Sequence, residues 1–129
     1  MINYGFTKEL NIPYGKVVEL VRDSLKKERF GILTEIDVQK IMKEKLGIDM
    51  NKYIILGACN PPNAYKAILT EENIGLMLPC NVIVYEKGGK TVLSFIRPAV
   101  AMQMVDNLDL QKVAQAVEEQ LKKAFDAIK

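Results

Sequence analysis

The chain has 129 residues, 49% of them hydrophobic, which fits one domain able to bury roughly two thirds of its unfolded surface and excludes a disordered chain. Its 18 basic and 16 acidic side chains, in mixed order, give a formal net charge of +2, so there is no electrostatic case for nucleic acid or an anionic membrane as partner. Histidine is absent and cysteine occurs twice, which removes the commonest general base, the Ser-His and Cys-His nucleophile pairs, every His-dependent metal motif and a secreted disulfide scaffold.

The opening stretch, Met1 to Leu10, alternates Ile2, Tyr4 and Phe6 with Asn3, Gly5, Thr7 and Glu9, which predicts a half-buried strand over Ile2–Leu10. Its Lys8 and Glu9 set it apart from a signal peptide, and no later apolar run approaches the ~18 residues that cross a bilayer. A cytoplasmic protein is expected. Asn11-Ile12-Pro13 breaks the strand, and Pro13 suits the first turn of a helix. Tyr14, Val17, Val18, Val21 and Leu25 recur at helical spacing to about Glu28, with Lys16, Glu19, Arg22 and Asp23 on the other face. Phe30-Gly31 ends this helix. A second strand over Ile32–Ile36 sets Ile32, Thr34 and Ile36 on one face and Leu33 and Glu35 on the other. Asp37 is placed to cap a helix that carries Val38, Ile41, Met42 and Leu46 and stops at Gly47.

Tyr53 to Ala58 is nearly all apolar, which suits a strand with little exposed surface. Asn60 is a good N-cap and Pro61 a good first residue for the short helix that follows, with Ala64, Tyr65 and Ile68 on its apolar side. After a short connection, Val82 to Tyr85 and Thr91 to Ile96 flank Lys87-Gly88-Gly89-Lys90, the pattern of a β-hairpin with a Gly-Gly turn. Arg97-Pro98 ends the second arm, and Ala99 to Met104 reads as an apolar connection containing Met102 and Met104. From about Asp106–Asp109 a last helix runs on the stripe Leu110, Val113, Ala114, Val117, Leu121, Ala124, Phe125 and Ile128.

The element order is therefore β-α-β-α-β-α-β-β-α, with no repeat, linker or low-complexity segment. A terminal hairpin and a long helix able to cover one sheet face predict a two-layer α+β domain: a mainly antiparallel sheet of about five strands with helices packed on one face. The competing doubly wound parallel fold fits less well, because there is no Gly-rich first loop and the second and third helices are short.

Chemistry concentrates where the two cysteines fall, each followed by asparagine: Cys59-Asn60 and Cys80-Asn81. Cys59 ends a strand just before a helix N-terminus, a position that can lower a thiol pKa. Pro61 and Pro62 remove two N–H donors that an anion site would need. If the strands ending at Cys59 and starting at Cys80 are antiparallel, as the mixed topology favours, the two thiols share a sheet end; if parallel, they lie roughly 15–20 Å apart. The plainer reading makes both cysteines small buried apolar residues. No cofactor is evident. A soft metal held by Cys59 and Cys80 is possible, with Glu35, Asp37, Asn60, Asn81 or a partner subunit completing the shell, although the C-x-x-C spacing of a structural zinc site is absent.

Glu35 and Tyr65 are further candidates for a ligand site with Cys59, Asn60, Cys80 and Asn81. Their plainer readings are a solvent-facing edge charge and ordinary packing with the hydroxyl at the rim. Arg97 suits a carboxylate ligand or a surface salt bridge. The Met102/Met104 segment suits an apolar lid, a dimer contact or core filler.

Gly57-Ala58-Cys59-Asn60-Pro61-Pro62-x-Ala64-Tyr65, followed by Gly75-Leu76-x-Leu78-Pro79-Cys80-Asn81-Val82, resembles the domain of unknown function 302 family; Gly31-Ile32-Leu33-Thr34-Glu35-Ile36-Asp37-Val38 and Arg97-Pro98 fit as well. The resemblance spans essentially the whole chain. It implies a fold of the TATA-binding-protein-like class and assembly as homodimers, and it implies no activity and no DNA binding. Two kinds of function follow as expectations. One is a cytoplasmic, homodimeric domain that binds a small ligand or protein partner around Cys59-Asn60 and Cys80-Asn81. The other is a thiol-based redox enzyme, with Cys59 reactive and Cys80 resolving, or a soft-metal protein built on the same pair.

Overall fold

The computed structural model describes residues 2–129, so Met1 of the opening stretch lies outside the described residues. The elements are β1 (Gly5–Leu10), α1 (Tyr14–Lys27), β2 (Gly31–Asp37), α2 (Val38–Leu46), β3 (Tyr53–Cys59), α3 (Pro61–Thr70), a 3₁₀ segment (Glu72–Met77), β4 (Cys80–Lys87), β5 (Lys90–Ile96), a single helical turn α4 (Pro98–Ala101) with a 3₁₀ turn (Met102–Met104), and α5 (Leu108–Asp126). The five strands form one sheet in the order β1-β5-β4-β3-β2, every neighbouring pair antiparallel. This is the expected α+β architecture.

Period-two alternation divides the sheet into two faces. The register lines up Phe6, Phe95, Val82 and Leu56 across β1, β5, β4 and β3. These side chains join Val17, Val21 and Leu25 of α1 and Val117, Leu121 and Phe125 of α5 in the main hydrophobic core. The helical stripes read from the sequence are thus the surfaces that α1 and α5 lay on the sheet. On the opposite face, the Tyr53 and Tyr85 rings stack with centroids 5.2 Å apart, and the Thr7 and Ser94 hydroxyls meet at 2.7 Å. Further along, Ala67 of α3, Ile74, Met102, and Leu110 and Ala114 of α5 form a second, smaller cluster.

The termini of the elements follow their chemistry. Asp37 caps α2 by accepting from the Lys40 N–H, and Asn107 caps α5 by accepting from the Leu110 N–H, each at 3.0 Å. Gly47 closes α2 in the left-handed conformation. The hairpin turn places both Gly88 and Gly89 at positive φ, the geometry for which L side chains are poorly suited. Gly57 is required for a different reason. A Cβ there would collide with Thr34 Oγ1 and stand 2.6 Å from Pro79 Cγ, so the proline ring lies directly against the bare backbone of β3.

Several expectations are corrected. The first strand begins at Gly5 rather than Ile2. α1 turns out of its helix at Arg29, a non-glycine at φ 66°, while the Phe30 N–H reaches back to Leu25 O at 2.9 Å. The connection after α3 is itself helical, and so is the whole of Ala99 to Met104. A β-bulge between Ile32 and Thr34 leaves Ile32 opposite Ala58 and Glu35 opposite Leu56. Glu35 therefore shares the helix-covered face with Ile32 rather than a face with Leu33, and it pairs with Arg22 of α1.

Candidate functional site

β3 runs out at Cys59 because the next residues start a helix. Asn60 Oδ1 accepts from the Asn63 N–H at 3.2 Å, and Pro61 and Pro62 occupy the first helical turn, where missing N–H groups cost nothing. The Asn60 side chain is buried and its other end is also used: Nδ2 donates to Arg29 O at 3.3 Å. One asparagine thereby ties the start of α3 to the strained turn that leads into β2. On the neighbouring strand, Cys80 opens β4 directly opposite Ala58. The antiparallel pairing thus brings the two Cys-Asn segments to the same end of the sheet.

At that end the structure encloses a cavity of about 360 Å³. Ala58, Cys59, Pro79 and Cys80 form its sheet side, with Phe30 and Leu33 from the start of β2 and Pro98 after β5. Asn63, Ala64, Ala67 and Ile68 line it from α3, and Val113, Ala114 and Val117 from α5; Met102, Gly75 and Leu78 complete the wall with Asn60. The cavity therefore lies where the main core and the smaller cluster meet. No lining side chain is charged. Its two amide side chains are already engaged, since the Asn63 amide donates to Gln120 Oε1 at 3.3 Å.

Both cysteines are free thiols. Burial pushes the Cys59 thiol up from 9.0, and burial reinforced by the nearby Cys59 charge pushes Cys80 up to about 12. The expectation that a helix N-terminus lowers the Cys59 pKa is thus reversed. Asn60 and the two prolines leave few N–H groups to meet the sulfur, and loss of water dominates. Both side chains are neutral thiols at pH 7. Among the described residues, no group of three or more Cys, Asp or Glu is gathered to hold a metal ion.

The six residues expected to converge divide evenly. Cys59, Asn60 and Cys80 line the cavity; Glu35, Tyr65 and Asn81 do not. Glu35 is drawn off by Arg22. Tyr65 points away from the cavity side of α3 and is 63% exposed. Asn81 follows Cys80 by one residue, so strand alternation turns it to the opposite, exposed face. Arg97 forms a salt bridge: its Nη2 donates to Glu118 Oε2 at 3.1 Å, and Glu118 Oε1 accepts from the Ala99 N–H at 3.1 Å. Met102 is buried in the cavity wall, whereas Met104 is exposed.

Sequence reading missed Phe30, Leu33, Ala67, Pro98, Val113, Ala114 and Val117 as lining residues. The available signal was small side chains, Ala67 and Ala114, on the facing apolar sides of α3 and α5, which leave space between two helices. A shallower groove of about 500 Å³ lies at the other end of the sheet, between residues including Tyr14, Glu86 and Lys90. None of the six candidates reaches it.

A helix-backed antiparallel sheet with an apolar cavity at one end places the chain among small α+β domains. The comparisons make this specific: the model of the family described as "Domain of unknown function DUF302" matches residues 6–128, and the chain belongs to that family. The crystal structure of an uncharacterized conserved DUF302 protein from Bacillus stearothermophilus is similar over 98% of each chain, with a TM-score of 0.91 and 28% sequence identity. No curated protein matches the chain. No helix among the described residues is long and apolar enough to cross a membrane.

Proposed function

We propose that the chain is a binding domain without catalytic chemistry, and that its ligand is a small molecule whose buried part is uncharged and apolar, held beside Cys59 and Cys80. The observation that supports this most is the charge-free lining of the 360 Å³ cavity, in which the amides already have partners. A charged group placed inside would lose its hydration there and gain nothing in return. The volume falls within the range of small-molecule pockets and is more than twice the ~150 Å³ that suffices for benzene.

The thiols report on the cavity directly. With naphthalene as the probe, alkylation of Cys59 by iodoacetamide is expected to slow several-fold at saturation, followed by mass spectrometry. An unchanged rate with naphthalene and with apolar-chain probes alike would count against the reading. A second reading draws on the two thiols sharing one wall, which is the arrangement a redox pair or a soft-metal site would need. Their raised pKa values oppose it, because both chemistries begin from a thiolate. Metal that co-purifies and disappears in Cys80→Ser would favour it.

The same proposal has the domain acting in the cytoplasm as a homodimer, with no nucleic-acid or membrane partner. Exposed Ile36, Ile41, Leu46 and Ile48 on and beside β2 and α2 provide apolar surface for self-association, which sedimentation velocity would detect.

A further inference from the structure

The cavity wall is not equally buried around its circumference. Ala58, Cys80, Ala67, Met102 and Ala114 are each under 9% exposed, so that part of the wall is closed to solvent. Leu33 and Ile68 line the same space while remaining 65% and 42% exposed. Gly75 of the 3₁₀ segment lines it and is exposed as well, so the cavity reaches solvent where Leu33, Ile68 and Gly75 border it. The exposed lining side chains Leu33 and Ile68 are both apolar.

We infer that the ligand is an amphiphile, bound apolar end first, with its polar head left in water at the mouth between Leu33 and Ile68. This deepens the binding reading above and rests on it. A head group has no partner inside, because no charge lines the cavity and no buried side-chain polar atom among the described residues lacks a hydrogen bond. A wholly apolar compact molecule would leave the mouth residues wet, whereas a chain passing between them covers Leu33 and Ile68 as well as the interior. The β-bulge contributes directly, since it adds Leu33 as the extra residue at the mouth.

The test uses the intact protein with three probes: naphthalene, decanoate and decylphosphocholine, the chains kept below their micelle-forming concentrations. Protection of Cys59 from iodoacetamide reports occupancy. Both headed chains are expected to protect, and affinity is expected to rise about fourfold per methylene from the hexyl to the decyl member, whatever the head. Protection by naphthalene but by neither chain would overturn the inference and leave the binding reading standing. Failure of all three probes would overturn the binding reading itself. Leu33→Trp, at an exposed position that the fold tolerates, is expected to weaken both chains at least tenfold. Unchanged chain affinity in that variant would overturn the placement of the mouth.

Discussion

Cys80 is 7% exposed where β4 meets the cavity, and its thiol is pushed up to about 12 from 9.0. The folded state therefore keeps a proton that the unfolded chain gives up as pH passes 9. Stability is complete below the unfolded value and declines as pH rises from about 9 towards 12. At most this amounts to about 1.4 kcal/mol per pH unit for one group. Urea denaturation at pH 7 and pH 10.5 is expected to show a smaller loss in Cys80→Ala than in the parent chain; equal losses would show that Cys80 does not carry the effect. The residue scale also separates the two asparagines. Asn60 precedes a helix, so its capping role was readable from Asn60-Pro61-Pro62. Asn81 follows its cysteine within a strand, so the shared Cys-Asn pattern hid opposite orientations.

Among the elements, those whose identity depends on local geometry were legible. The Gly88-Gly89 hairpin, the Gly47 stop and the long α5 stripe each carry their cause in a few adjacent residues. The β2 bulge depends on how a strand pairs with its neighbour, and strict alternation placed Glu35 on the wrong face for that reason. The short α4 was read as connection because a single turn has no helical period to detect. Tertiary contacts hold it. Glu118 of α5, 15% exposed, accepts from both Arg97 and the Ala99 N–H, so one carboxylate anchors the start of α4 to the middle of α5. Glu118→Gln weakens both charge-assisted bonds and is expected to cost about 1–3 kcal/mol, seen as a lower urea midpoint. Arg97→Ala is expected to cost at least as much, since it leaves the largely buried Glu118 carboxylate without its counter-charge and removes the bond to Asn3 O.

At the scale of the molecule, the two apolar clusters meet at Val113 and at the cavity, which both of them line. Half of the site was legible, because the cysteines marked the sheet end; its depth was not, because a cavity is set by how far α3 and α5 stand apart. Filling it should add contacts between the clusters. Ala114→Leu, from the α5 side, is expected to raise stability by about 1 kcal/mol in urea denaturation and to change the naphthalene concentration that half-protects Cys59. An unchanged half-protecting concentration would place the ligand elsewhere. The sheet order has a consequence for synthesis as well. β1 has a single strand neighbour, β5, and Gly5 pairs with Ile96. At ribosomal speed the two are separated by roughly 5–20 s. Throughout that interval the nascent β1 carries Phe6 and an unpaired backbone edge, so the sheet of this domain cannot be completed until β5, which ends at Ile96, has left the ribosome.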